Sequence, residues 1–127
     1  EKKQKYPDSP SGMPGVQTLM PLLLNEVSKK TISITNVVEL TSFNPIKRFK
    51  VKDKGLIKEG YDADFTFVDL SMTKKISNKL IKSKCGWTPF HGMKVTGWPV
   101  GTMINGNKVF WNEKIIGKPI GKPVKFN

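Results

Sequence analysis

Hydrophobic positions set a helical rhythm from residue 16 onward. Val16, Leu19, Met20, Leu23, Leu24 and Val27 recur at the spacing of one helix face, which predicts a buried helix. Pro21 interrupts the pattern and is tolerable if the helix starts near Thr18, where a missing N–H falls in the first turn. Ile34, Val37, Val38 and Thr41 share a second face, predicting a helix from about Ser33 to Ser42 with Ser33 as its N-cap. Asn44-Pro45 then reads as an N-cap followed by proline at the first helical position, opening a short helical turn through Phe49. Helical signals end near Val51. From Gly55 the rhythm changes to alternation. Asp64 to Leu70 interleaves aromatic and polar residues as a strand does, and Thr73–Ser77 and Val100–Ile104 are shorter candidates. Asn105-Gly106 is a hairpin turn with Gly101–Ile104 and Lys108–Trp111 as its arms. Ahead of all this, residues 1–15 read as a loop: Glu1 to Lys5 is charged, and Pro7, Pro10, Gly12 and Pro14-Gly15 follow. Helices first and strands after make the expected class α+β.

Composition narrows the picture. At 127 residues and 14.3 kDa, with 37% hydrophobic residues, the chain holds one small domain with a modest core. No uninterrupted apolar run exceeds three residues, the length of Leu22-Leu23-Leu24, which is far too short for a membrane helix. No charged segment leads into an apolar one as a secretory leader requires, so the expected location is cytoplasmic and no membrane partner is expected. Cys85 is the single cysteine, so no internal disulfide can form. The formal net charge of +12 raises the question of nucleic acid. Of the 22 basic residues, 21 are Lys, and Arg48 is the one guanidinium that could read phosphates or bases in a planar fork. The lysines are spread from Lys2 to Lys125 rather than gathered, which argues against a nucleic-acid partner.

The inventory of reactive groups is short. His91 sits alone in the turn-like Pro89-Phe90-His91-Gly92, the setting of a solvated surface residue rather than of a ligand or base. Cys85 could be a nucleophile, but no His or Asn arrangement supports it, and it reads as a buried or partly buried structural thiol. Asp62 and Asp64, two apart, would share one face of a strand, as acid–base pairs do; after Gly60-Tyr61 they are better explained as turn residues. No cluster has the spacing of a metal site. Gly12 and Gly15, flanking Met13-Pro14, lack the spacing and the lysine of a phosphate loop. They do allow a backbone to approach a small ligand just before a helix N-terminus that favours anions.

Four stretches, taken in order, resemble dihydroorotase of the cyclic amidohydrolase superfamily. They are Ser11-Gly12-Met13-Pro14-Gly15-Val16-Gln17-Thr18-Leu19 with Pro21-Leu22-Leu23, and Val38-Glu39-Leu40 with Asn44-Pro45-Ile46-Lys47. The third runs from Lys54-Gly55 through Gly60-Tyr61-Asp62-Ala63-Asp64 to Val68-Asp69. The fourth joins Thr88-Pro89-Phe90, Thr96-Gly97-Trp98-Pro99-Val100 and the Gly106 hairpin.

The resemblance implies a C-terminal portion: the last helices of a (β/α)₈ metal-dependent hydrolase barrel plus part of the small β-sandwich attached to it. Residues 1–52 would carry the substrate loop and those helices, and residues 53–127 the sandwich strands. It also implies zinc in the intact enzyme, held by ligands on barrel strands upstream of Glu1. A zinc-bound hydroxide would there attack the cyclic amide while an Asp moves the proton, interconverting dihydroorotate and N-carbamoyl-aspartate in pyrimidine biosynthesis. None of those metal ligands falls in this segment, so the segment alone is expected to be inactive and to need no cofactor of its own. Only Ser11 and Gly12 match substrate-binding positions, through their backbone groups. The chain opens at Glu1 with no initiator Met, inside a Pro/Gly/Lys-rich loop of the kind that is easily nicked. The expected partner is accordingly an N-terminal fragment carrying the remainder of the barrel, with small-molecule substrate bound only in the assembled enzyme. The alternative is a non-catalytic remnant that covers its apolar helix faces by homo-oligomerisation or by docking on another protein.

Overall fold

A computed structural model describes residues 2–127; Glu1, the first residue of the expected loop, lies outside the described residues. Residues 2–15 form turns and bends without helix or strand, and α1 follows over Val16–Ser28. Pro21 therefore stands inside the helix, well past its first turn. Its cost to the backbone ladder is offset by burial, because Pro21 is among the most enclosed side chains of the molecule. The face that α1 turns to the protein is Thr18, Pro21, Leu24 and Asn25, not the predicted stripe. Of that stripe only Leu24 is fully buried, while Val16 is 96% and Leu19 52% exposed.

Ser33 caps α2 (Ile34–Val38) as expected. Its hydroxyl accepts from the Asn36 amide at 3.1 Å, and Asn36 Oδ1 accepts in return from the Ser33 amide at 3.0 Å. The helix does not stop at Ser42. A π-helical turn over Glu39–Phe43 carries it directly into α3 (Asn44–Phe49), so Asn44 has helical backbone angles and caps nothing. The missing amide of Pro45 falls just where the hydrogen-bond ladder changes register, and the widened turn accommodates it. Lys50, in the left-handed region at φ 52°, ends α3.

The strands form one four-stranded antiparallel sheet in the order β1-β2-β3-β4: Phe65–Lys75, Lys94–Ile104, Asn107–Trp111 and Lys114–Ile115. Together with the helices this makes the expected α+β class. The two predicted strands at Asp64–Leu70 and Thr73–Ser77 are one, joined through a bulge. Asp69 pairs with Trp98 and Thr73 with Thr96, so Leu70, Ser71 and Met72 oppose Gly97 alone. Asp69 Oδ1 holds that bulge by accepting from the Ser71 amide at 2.8 Å, the Ser71 hydroxyl at 2.7 Å and the Met72 amide at 3.0 Å. The hairpin is as predicted, with Asn105 at φ 48° and Gly106 at φ 75°, the two left-handed residues of a type I′ turn. Pro99 is tolerated in β2 because the β3 pairing begins only at Gly101.

Helix α1 lies across β2. Gly97, at φ 97°, makes this possible: a Cβ there would stand 2.5 Å from Leu24 Cβ. One residue away, Asn25 Oδ1 accepts from the Thr96 amide at 3.1 Å. Around that contact Leu24, Val37, Ile76 and Val95 form the buried hydrophobic core. After β4 the chain returns to the helices, where Phe126 bridges Val51 and the Lys52 amide donates to the Lys125 carbonyl at 2.8 Å. No helix among the described residues is long and apolar enough to cross a membrane.

Candidate functional site

The N-terminus of α1 is where backbone chemistry is open to a ligand. Gly15 occupies the N-cap position and offers no side chain, and no acidic residue stands in the first turn. Its carbonyl accepts from the Thr18 and Leu19 amides at 3.1 and 3.0 Å and from the Thr18 hydroxyl at 3.2 Å. The positive end of the helix dipole thus meets no protein anion. A cleft of about 360 Å³ opens there, lined by Pro14, Gly15, Val16, Gln17, Lys82 and Trp87 among others.

Gln17 builds the far wall of this cleft. Its Nε2 donates to the Leu80 carbonyl at 2.7 Å and its Oε1 accepts from the Lys82 amide at 2.9 Å. The side chain acts as a two-handed clamp, fixing the Ile81–Ser83 segment beside the helix end. Sequence reasoning did not single out Gln17, because its partners lie more than sixty residues away and no local pattern announces them.

Ser11 and Gly12 are both exposed, in the loop leading into the cleft, whose lining begins at Pro14. Gly12 has φ 74° and nothing within 4 Å of a would-be Cβ, so its backbone faces open space. Within the loop, the Asp8 amide donates to the Lys5 carbonyl at 2.8 Å and the Lys2 ammonium donates to the Pro10 carbonyl.

The other candidates resolve into structural roles. Asp62 and Asp64 both grip Lys54, at 2.8 and 2.5 Å, and Asp64 Oδ1 also accepts from the Asn105 amide at 2.8 Å. The pair ties the segment after α3 to the hairpin turn. Burial works to raise the Asp64 pKa, but the hydrogen bonds from Lys54 and Asn105 outweigh it and hold the carboxyl below its ordinary value. Hydrogen bonding to Asp62 and then Asp64 holds the Lys54 ammonium above its own. His91 is exposed, and its Nδ1 accepts from the Asn78 amide at 3.1 Å. Cys85, half-buried, lies 3.0 Å from the Ser83 hydroxyl and 3.8 Å from the Trp87 carbonyl.

The donor set does not suit zinc. No group of three or more His, Cys, Asp or Glu side chains among the described residues is placed to hold a metal. Asp62 and Asp64 are committed to a lysine, which a cation would have to displace.

Comparison with known proteins places this geometry in context. The model of the Amidohydrolase family matches residues 10–109. Dihydroorotase of Pyrococcus furiosus is 42% identical over 114 residues, which is 90% of this chain and 27% of that protein. Dihydroorotase of Methanosarcina acetivorans is 38% identical over 121 residues, covering 94% of this chain and 26% of its own length. Among solved structures, the L-hydantoinase (dihydropyrimidinase) of Arthrobacter aurescens superposes with a TM-score of 0.82 at 32% identity, over 87% of this chain and 25% of that one. A D-hydantoinase (dihydropyrimidinase) from Thermus sp. gives 0.80 at 25% identity, over 91% and 26%. The chain spans about a quarter of the length of the relatives it matches.

Proposed function

The chain belongs to the amidohydrolase family, and from that premise we propose that it is the C-terminal part of a dihydroorotase-like zinc amidohydrolase. The assembled enzyme would interconvert dihydroorotate and N-carbamoyl-aspartate in pyrimidine biosynthesis. One observation carries the reading: nine-tenths of the chain aligns at 42% identity with a curated dihydroorotase, whereas the hydantoinase structures align at 32% or less.

The chain's own contribution is binding and scaffolding. Zinc, when bound in the assembled enzyme, supplies the activated water, and its ligands belong to the rest of the protein. Here the uncapped end of α1 presents amides and a positive dipole suited to a carboxylate such as that of dihydroorotate. The Ser11–Gly12 backbone borders the approach, Gly12 leaving room for close contact. Gln17 holds the backbone of Lys82 at the cleft wall, which places a lysine beside the same anion.

The test is to purify this chain alone and co-expressed with the remainder of Pyrococcus furiosus dihydroorotase. Zinc content and turnover of dihydroorotate, hydantoin and dihydrouracil are then measured on both samples. Zinc-dependent hydrolysis of dihydroorotate by the pair, and none by the lone chain, is the expected result. Turnover by the lone chain, or a pair that prefers hydantoin, would overturn the proposal.

A further inference from the structure

Lysines that lie apart in the sequence come together in the fold around the C-terminal end of α3. Lys47 and Arg48 stand in the last turn of that helix, and Lys50 follows as its cap. Residues 125–127 return to the same place. The Lys52 amide donates to the Lys125 carbonyl at 2.8 Å, and the Asn127 amide donates to the Lys50 carbonyl at 2.9 Å. Lys125 is thereby set beside Lys50 and Lys52. Among the described residues, no carboxylate pairs with Lys47, Arg48, Lys50, Lys52 or Lys125, whereas Lys54 is committed to Asp62 and Asp64. Like charges held together without a counterion repel one another, and a bound anion relieves that repulsion.

A cleft of about 330 Å³ opens among these cations, within the range of roughly 300–1,000 Å³ where small-molecule sites fall. Its walls hold Lys47 and Lys50 together with the rings of Phe43 and Tyr61, and no Asp or Glu among the described residues. The Lys47 ammonium lies 6.0 Å from the centre of the Phe43 ring, the outer limit of a cation–π contact, so it can turn to a ligand. Complementing the helix dipole accounts for Lys47 and Arg48 at the end of α3. Lys50 needs another reason. It adopts φ 52° and ψ 40°, the left-handed conformation that glycine or asparagine takes with less strain. A lysine in a strained backbone position on a cleft wall is explained by what its ammonium does there.

We propose that this cleft binds a nucleoside 5′-phosphate. The phosphate meets the ammonium groups of Lys47 and Lys50, and the unpaired charges of Lys52 and Lys125 draw it in. The base stacks on the Phe43 or Tyr61 ring, which offers a π-face without reading base identity. A sugar phosphate lacks the flat face that the rings favour, and a nucleoside lacks the anion that the lysines favour. A polynucleotide needs a continuous basic track, and the remaining lysines are too dispersed to supply one. The cleft shares no lining residue with the one at the N-terminus of α1, so binding there does not depend on the proposed activity.

The experiment titrates the purified chain with adenosine and uridine 5′-monophosphate by calorimetry at about 0.15 M salt. Uridine, ribose 5-phosphate, inorganic phosphate and a short single-stranded RNA serve as comparisons. Both nucleotides should bind about tenfold or more tightly than the other three small molecules. Lys50→Gly should weaken nucleotide binding about tenfold, while the melting temperature of the chain stays or rises because glycine relieves the left-handed backbone. Phe43→Leu, Tyr61→Leu in one chain should bring the nucleotides down to the affinity of ribose 5-phosphate. Lys108→Gln, on β3, should change nothing. No nucleotide binding, equal affinity for inorganic phosphate, or tighter binding of the RNA than of either nucleotide would overturn the inference. So would a Lys50→Gly chain that binds as before or melts earlier, or an equal loss in Lys108→Gln.

Discussion

Asp64 shows how a pair of carboxylates with catalytic spacing serves architecture instead. It closes an ion pair with Lys54 and caps the hairpin turn through the Asn105 amide. Replacing it with Ala should cost about 1.5–3 kcal/mol, the range for hydrogen bonds to charged groups, in urea denaturation. The more exposed Asp62 should cost less on the same measurement. Acid should act through Asp64 and Asp69 together. Asp69 is held below its ordinary pKa by the Ser71 hydroxyl, then by the Ser71 and Met72 amides. A depressed carboxyl stabilises the fold above the unfolded value of about 3.9, and that stabilisation is lost as pH falls through the lower folded value. The melting temperature should therefore drop below about pH 4, and less steeply in Asp64→Asn, Asp69→Asn. At Gly97 a methyl group would meet Leu24 from a positive-φ backbone, so Gly97→Ala should destabilise by about 1–3 kcal/mol in the same denaturation assay. The sequence disclosed the Asp62/Asp64 spacing, but not Lys54 as their partner, since that pairing exists only once the loops are folded.

Elements governed by local chemistry were legible before any coordinates. The Ser33 cap and the Asn105-Gly106 turn depend on residues within three positions of each other, and both stand where the pattern put them. Ser33→Ala should lower stability by about 1 kcal/mol and fray α2 in amide exchange, while leaving α1 protected. Elements decided at longer range were not legible. Two strands became one because Asp69 folds a bulge between them, and Gly97 supplies the facing gap. Asn44-Pro45 carries a helix-start signature, yet the π-turn runs through it. Helix α1 departs furthest, because its regular apolar stripe predicts a buried face that the structure does not adopt. The sheet instead claims Thr18, Pro21, Leu24 and Asn25, a set with two polar members that no hydrophobic periodicity would select. Of the predicted stripe Leu24 is buried, while Val16 and Leu19 stand exposed.

At the scale of the whole molecule, one four-stranded sheet carries helix α1 across its β2 strand. It spans about a quarter of the length of the relatives it matches, and Val16, Leu19, Val38 and Leu40 stand exposed on its helices. The cleft at the N-terminus of α1 is lined by Gly15, Gln17, Lys82 and Ser83 among others, and no group of metal-ligating side chains stands among the described residues. The candidate site was legible only as a loop with glycines before a helix; the Gln17 clamp that shapes its wall came from folding distant segments together. The most direct measurement is zinc-dependent hydrolysis of dihydroorotate, assayed on this chain alone and on its co-expressed complex with the remainder of a dihydroorotase. Hydrolysis by the complex, with the lone chain at the uncatalysed rate, is what the proposed division of labour requires. Zinc-dependent turnover by the lone chain would contradict it.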